Sequence, residues 1–298
     1  MRPTFDSPGA IAVPRPRALD YLTLTKPELT FLSVLTALAG FWMGSAGAVQ
    51  PLLLLKALVG TALVGGGAGT LNQFLERDYD AVMKRTENRP LPSGRLAPAE
   101  VLVFGLLLST VGIAMLTFFV NFLTGLLASL TLSTYLFLYT PLKRVTPLAT
   151  LVGAVPGALP PVMGWAAACN EISLGAGLLF GILFFWQMPH FLSLAWLYRK
   201  DYARAGYRLL TVVDESGKAT GSQVMIHASL LLLVSVVPTI LGVLGLVYGV
   251  SALLLGGCFL GLAWKFATGR SSANARRLFV ASLLYLPTLI AAMIVDRL

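Results

Sequence analysis

The segment Asn72-Gln-Phe-Leu-Glu76-Arg-Asp78-Tyr-Asp80 sets an amide and two carboxylates four residues apart. On a helix that spacing stacks Asn72, Glu76 and Asp80 one above another on a single face, with Asp78 turned away. Hard oxygen donors in such a column are what Mg²⁺ takes, alongside water and substrate phosphates. Arg85, Arg89 and Arg95 follow closely, and arginine grips phosphate oxygens in bidentate fashion. Carboxylates for a metal beside arginines for phosphate point to a diphosphate site. Taken alone, the same segment also reads as a solvated interfacial helix of mixed charge.

Two further polar segments bear on that choice. Tyr198-Arg-Lys200-Asp201-Tyr-Ala-Arg204 ends another apolar run of the same orientation, and a four-helix pseudo-repeat would bring it to the first segment across a central cavity. Tyr139-Thr-Pro-Leu-Lys143-Arg144 is a tight turn whose adjacent cations serve as topology determinants first and as site residues second. Within the apolar run Phe184-Phe-Trp186-Gln187-Met-Pro189-His190-Phe, Gln187 and His190 are polar at membrane depth, where such side chains face a bundle interior or a wet cavity. Pro189 obstructs the Phe185 carbonyl and predicts a kink. An inter-helix hydrogen bond is the alternative for His190, and His227 reads as interfacial. Gly65, Gly66, Gly67 and Gly69 fit neither a Walker loop nor a dinucleotide fingerprint, so close helix packing explains them. Pro156, Pro160 and Pro161 with Gly153, Gly157 and Gly164 make another apolar run irregular, as suits a helix lining a cavity.

The elements that must position these groups are membrane spans. Of 298 residues, 56% are hydrophobic and 12% charged, and the mean hydropathy is +0.79. A soluble globule carries about 25% charged residues, and a disordered chain or an outer-membrane barrel lacks long unbroken apolar runs. A bilayer core of about 30 Å asks for about 20 apolar residues per helix. Nine runs qualify, at 29–47, 52–75, 100–120, 122–141, 148–168, 174–197, 224–247, 251–268 and 278–295. The expected fold is all-α, nine transmembrane helices around a central cavity, with a tail at 1–27 and one domain at 28–298. Cys169 and Cys258 read as small hydrophobes.

If the amino terminus is cytoplasmic, 20 of the 22 Lys and Arg lie on the cytoplasmic side. The positive-inside rule then places the amino terminus inside and, after nine spans, the carboxyl terminus outside. That accounts for the net charge of +9 without nucleic acid. Eleven of the 13 acidic residues lie on the same side, which topology does not require. Something on that face uses carboxylates.

The residues resemble the UbiA-type intramembrane prenyltransferases, and within them the branch that modifies heme. Asn72-x3-Glu76-x3-Asp80 is similar to the family's first aspartate-rich motif, and Lys84-Arg85-Thr86-x2-Arg89-Pro90-Leu91 to its heme-type extension. Trp186-Gln-Met-Pro-His190-Phe-x-Ser193-Leu-Ala-Trp196, Lys200-Asp201-Tyr202-x2-Ala205-Gly206, Tyr139-Thr-Pro-Leu-Lys143-Arg144 and Pro160-Pro161-x2-Gly164-Trp165 resemble the same branch. Two departures stand out. Glu76 replaces an aspartate common in relatives, and Ala205 stands where other branches carry a second aspartate.

The resemblance implies transfer of a farnesyl group from farnesyl diphosphate to a vinyl group of heme B, with water addition, giving heme O for terminal oxidases. It implies Mg²⁺ on Asn72, Glu76 and Asp80, with Asp201 on the same or a second ion. Arg85, Arg89, Lys143 and Arg144 would stabilise the departing diphosphate. His190 becomes a candidate for the porphyrin iron, beside Trp186 and Gln187. Tyr198 and Lys200 suit either the diphosphate or the heme propionates. The lipid bilayer is the surroundings, the bacterial cytoplasmic membrane the address, and a heme A synthase a candidate partner. A quinone-precursor prenyltransferase, a secondary transporter and a non-catalytic heme carrier are the rivals. The transporter would want its carboxylates near the bilayer midplane and the carrier has no use for a metal-spaced column.

Overall fold

The computed structural model describes residues 16–45 and 47–297, so most of the expected tail and Leu298 lie outside the described residues. The chain forms α1 (Arg17–Leu24), α2 (Pro27–Gly44), α3 (Pro51–Asp80), α4 (Pro98–Phe119) and α5 (Phe122–Ser133). A π-helical segment, Thr134–Tyr139, carries α5 into a last turn, α6 (Thr140–Leu142). There follow α7 (Ala149–Cys169), α8 (Leu174–Leu197), short α9 (Arg199–Arg204) and α10 (Leu210–Val213), then α11 (Lys218–Ile240), α12 (Leu246–Gly269) and α13 (Ser272–Arg297). Among the described residues there is no strand.

Eight helices are long and apolar enough to cross a bilayer, the continuous α5–α6 rod counting as one. With the 18-residue α2, which is not one of the eight, the described residues hold nine long helices, roughly consistent with the nine spans expected. Large apolar side chains such as Phe118, Ile240 and Leu246 are exposed around them, as a surface facing hydrocarbon requires.

Local chemistry sets the ends. Proline opens α2, α3 and α4, where its missing N–H costs nothing. Asn121 caps α5 by accepting the Thr124 N–H at 2.8 Å, and its amide donates to the Ala166 carbonyl of α7. Ahead of α11, Gly217 has no capping side chain, and Asp214 substitutes by accepting the Thr220 N–H at 2.7 Å. α3 does not stop at the expected limit of its apolar run but continues to Asp80. That extension carries the polar column out of the bundle as one rigid helix.

The glycines bring helices into contact, as the sequence predicts. A Cβ on Gly67 would strike Ser109 of α4 at 2.2 Å, and one on Gly69 would press on Leu24 and Lys26 at the α1–α2 corner. α7 runs unbroken through Pro156, Pro160 and Pro161. It lies so close to α2 that a Cβ on Gly164 would come within 1.9 Å of the Ala37 carbonyl oxygen. Backbone cannot yield as a side chain does. Gly164→Ala should therefore destabilise the bundle by about 1 to 3 kcal/mol, the usual range for overpacking, read as a lower melting temperature in detergent micelles.

Candidate functional site

Asn72, Glu76 and Asp80 share the inner face of α3, and all three are buried. A buried charge needs a partner, and each member of the column has one from a different part of the chain. Lys143, just past α6, donates to Glu76 Oε1 at 2.8 Å. Arg89, in the loop after α3, donates to Asp80 Oδ2 at 2.6 Å. Lys26, at the α1–α2 corner, donates to Asn72 Oδ1 at 2.6 Å, while the Asn72 amide donates to Thr140 Oγ1. The result is a ring of three cations against two carboxylates and an amide.

Lys26 is a site residue that sequence reasoning assigned to topology alone. Its backbone sits in the left-handed region at φ 48°, uncommon for a residue with a Cβ, and this corner aims the side chain at Asn72. Two features hold it. α1 is clamped to the α3–α4 loop by Asp20 with Arg95 at 2.9 Å, which occupies Arg95 structurally. Gln73 donates to the Thr23 and Leu24 carbonyls. Burial and the nearby Arg89 push the Lys26 ammonium down to about 7. Burial also disfavours the charge on Lys143, but the Glu76 carboxylate outweighs it and holds that ammonium well above its ordinary range. The Tyr207 phenol is raised by burial and by Glu76.

The polar ring adjoins a cavity of about 260 Å³ between α2, α3, α5 with its π-helical extension, α7 and α8, which it meets through Lys26 and through Tyr139, whose aromatic ring lies beneath Lys143. Lys26, Tyr139 and Tyr135 line its upper part, and Trp186, Gln187 and Phe191 form one wall. The irregular α7 borders it with Gly153, Pro156, Gly157 and Pro160, as predicted from their composition. Small residues there admit large neighbours: a Cβ on Gly153 would meet the Tyr139 ring, and one on Gly157 the Gln187 amide. The π-helical turn bearing Tyr135 and Tyr139 had no sequence signal.

The second and third polar segments join the first. Arg85 donates to the Tyr202 hydroxyl at 3.3 Å and lies over the Tyr198 ring at 5.2 Å. Arg144 donates to the Tyr79 hydroxyl, and the Lys143 carbonyl accepts the Arg208 N–H at 2.8 Å. Asp201 pairs with Arg204 on its own short helix, and Lys200 is exposed. His190 does not border the cavity. Its Nδ1 lies 2.7 Å from Ser282 Oγ, and its ring stacks on Trp186. The His190–Ser282 contact is an inter-helix hydrogen bond between α8 and α13, and the Ser282 hydroxyl also lies against the Phe279 carbonyl. Trp186 donates to the Ser282 carbonyl, and Gln187 to that of Ala154.

Among the described residues no three His, Cys, Asp or Glu side chains converge, so Asp201 and the α3 column do not form one protein cage. The column still fits Mg²⁺, which is held through one or two carboxylates plus substrate phosphates rather than by a full set of protein ligands. Asp80 Oδ1 is buried with no hydrogen-bond partner among the described residues, an acceptor left for something outside the chain.

The fold and site define a polytopic helical membrane protein with a ring of paired cations and carboxylates beside an apolar cavity. The family model described as the UbiA prenyltransferase family matches residues 33–286. The chain belongs to that family. It is 49% identical to a protoheme IX farnesyltransferase of Salinibacter ruber over 277 residues, 93% of this chain and 98% of that one. A solved structure of digeranylgeranylglyceryl phosphate synthase superposes with a TM-score of 0.79 at 16% identity, covering 94% of this chain and 98% of the other. A UbiA homologue from Archaeoglobus fulgidus, bound to GPP and Mg²⁺, gives a TM-score of 0.60 at 15% identity, with 92% and 99% covered.

The Glu76–Lys143 pair is buried on both sides, and removing one partner of such a pair costs about 3 to 5 kcal/mol. Lys143→Ala should lower thermal stability accordingly. The double variant Lys143→Ala/Glu76→Gln should recover most of the loss, since it leaves no orphaned charge, and a double-mutant cycle of melting temperatures checks both.

Proposed function

We propose that the protein is a magnesium-dependent prenyltransferase that moves a farnesyl group from farnesyl diphosphate to a vinyl group of heme B, producing heme O. The observation that carries this reading is the cation ring closed over a buried carboxylate column beside an apolar cavity. The match to protoheme IX farnesyltransferases over nearly the whole chain supports heme as acceptor.

The diphosphate is placed at the ring, where Lys26, Arg89 and Lys143 converge from three separate segments. Arg85 and Arg144 border it in the adjoining loops. Mg²⁺ would be held by Asn72, Glu76 and Asp80, with Asp201, paired with Arg204 on α9, a ligand only if it leaves that pair, and when bound it supplies charge neutralisation of the leaving diphosphate. Lys143 and Arg89 pair with the carboxylates of the column. Binding exchanges partners: the cations turn to phosphate oxygens and the carboxylates are released. Preorganised positive charge where negative charge develops is the largest single lever on such a barrier.

The prenyl chain extends into the cavity. Cleavage of its C1–O bond leaves an allylic cation beside the Tyr139, Tyr135 and Trp186 rings, whose faces attract positive charge. The apolar walls withhold water until a vinyl carbon of the porphyrin attacks C1. The new C–C bond leaves a cation on the porphyrin side, and water adds there and loses a proton, giving the hydroxyl. The Trp186–Gln187 wall and the exposed Tyr198 and Lys200 are the proposed porphyrin contacts, the last two for its propionates. In this reading His190 holds Trp186 in place through Ser282. The concentration of Lys and Arg on one side supports a ring that faces the cytoplasm.

The test is to incubate membranes bearing the protein with heme B, farnesyl diphosphate and Mg²⁺ and to resolve the extracted hemes by mass. The expected product carries one farnesyl and one hydroxyl addition and disappears on chelation. Asp80→Ala should abolish it in protein that remains inserted. Lys26→Ala should raise the KM for farnesyl diphosphate about tenfold or more while the protein stays folded, the mark of lost substrate binding. Heme B returned unchanged by well-inserted wild type contradicts the proposal.

A further inference from the structure

The cavity has a depth, and the direction of each helix gives it. α2, α3 and α7 have their site ends at Lys26, Asn72 and Thr150, and α5 and α8 approach the site toward Tyr139 and Phe191. Followed away from the ring, the last residue that each helix gives to the cavity wall is Thr36 on α2, Thr61 on α3, Thr131 on α5, Met163 on α7 and Leu183 on α8. Five helices thus end the cavity on one set of side chains.

That set forms a closed, apolar floor. The three threonine hydroxyls are turned back on their own helices, Thr36 to the Ser33 carbonyl, Thr61 to Ala57 and Thr131 to Leu127, so none remains to welcome water or a polar head. Met163 is 2% exposed. Beyond it lies a packed cluster including Leu116, Leu127, Ala128, Ala166 and Ala176. Methionine is ordinarily the most adaptable of core side chains. Here its sulfur packs 3.7 Å from Thr131 Oγ1 on the facing helix, whose proton is already given to the Leu127 carbonyl.

The distance from ring to floor is a length. At 1.5 Å rise per residue, Asn72 to Thr61 spans about 16 Å along α3, Lys26 to Thr36 about 15 Å along α2, and Gly153, where α7 meets the Tyr139 ring, to Met163 about 15 Å along α7. A trans isoprene unit of four C–C bonds in zigzag extends about 5 Å, from a bond length of about 1.5 Å. Roughly three units fit between the ring and the floor, and a fourth meets Met163.

We infer that Met163, packed against Thr131, is the gauge that limits the prenyl donor to about three isoprene units. The inference rests on the proposed prenyl-transfer reading and adds the residue that sets donor length. The test uses purified protein with Mg²⁺ and the diphosphates of ten-, fifteen- and twenty-carbon prenyl chains. Affinities come from titration, and turnover with heme B from product mass. Met163→Ala should raise the preference for the twenty-carbon donor over the fifteen-carbon one at least tenfold in affinity. Met163→Phe should depress the fifteen-carbon donor while sparing the ten-carbon one. Thr131→Ala, which removes side-chain atoms that the Met163 sulfur packs against, should blur the discrimination without loss of fold. Length preferences unchanged within twofold in all three folded variants would overturn the gauge. The affinity series reads the floor whatever the acceptor, so heme B left unmodified by wild type would count against the heme reading alone.

Discussion

Charge buried at the edge of a membrane bundle must be neutralised from within the protein, and that requirement organises this molecule. Glu76 and Asp80 cannot leave α3, because the helix carries them inward as one rigid rod. Their partners must therefore come to them. Lys143 arrives from the turn after α6 and Arg89 from the loop after α3, while Lys26 reaches Asn72 from the α1–α2 corner. Gly69 gives that corner room, and the Asp20–Arg95 pair clamps α1 to the α3–α4 loop. The close approach of α2 to α7 through Gly164 then fixes the cavity wall below the ring.

The same arrangement is suited to release. An ion pair in this position is weak evidence for stability, since desolvation offsets most of the Coulomb attraction. Its value lies in being exchangeable. Under the proposed function, cations held on carboxylates would turn to phosphate, and carboxylates held on cations to a metal. The unpartnered Asp80 Oδ1 is where that exchange has least to break.

Much of this was legible in the sequence, for identifiable reasons. Spacing alone stacks Asn72, Glu76 and Asp80, because four residues is close to one helical turn, and apolar run lengths give the spans directly. Glycines and prolines in α7 announced a cavity wall. Pairing was not legible. Nothing local says that Lys143 meets Glu76 or that Lys26 meets Asn72, since each bond joins residues far apart in the chain. The π-helical segment that carries Tyr135 and Tyr139 depends on packing against α7, and the Ser282 partner of His190 lies on the last helix. Arg95 looked like a phosphate ligand because its type fits, yet its clamp on Asp20 is a tertiary fact.

The central claim is that the α3 column and the cation ring form one site that takes a metal and a diphosphate together. The most direct measurement is calorimetric titration of the purified protein with a non-cleavable farnesyl diphosphate analogue, with and without Mg²⁺, in wild type and in Asp80→Asn. The account predicts binding that depends on Mg²⁺ in wild type and loses that dependence in the variant. Equally tight binding with the metal chelated away, or an Asp80→Asn variant that responds to Mg²⁺ as wild type does, would contradict it.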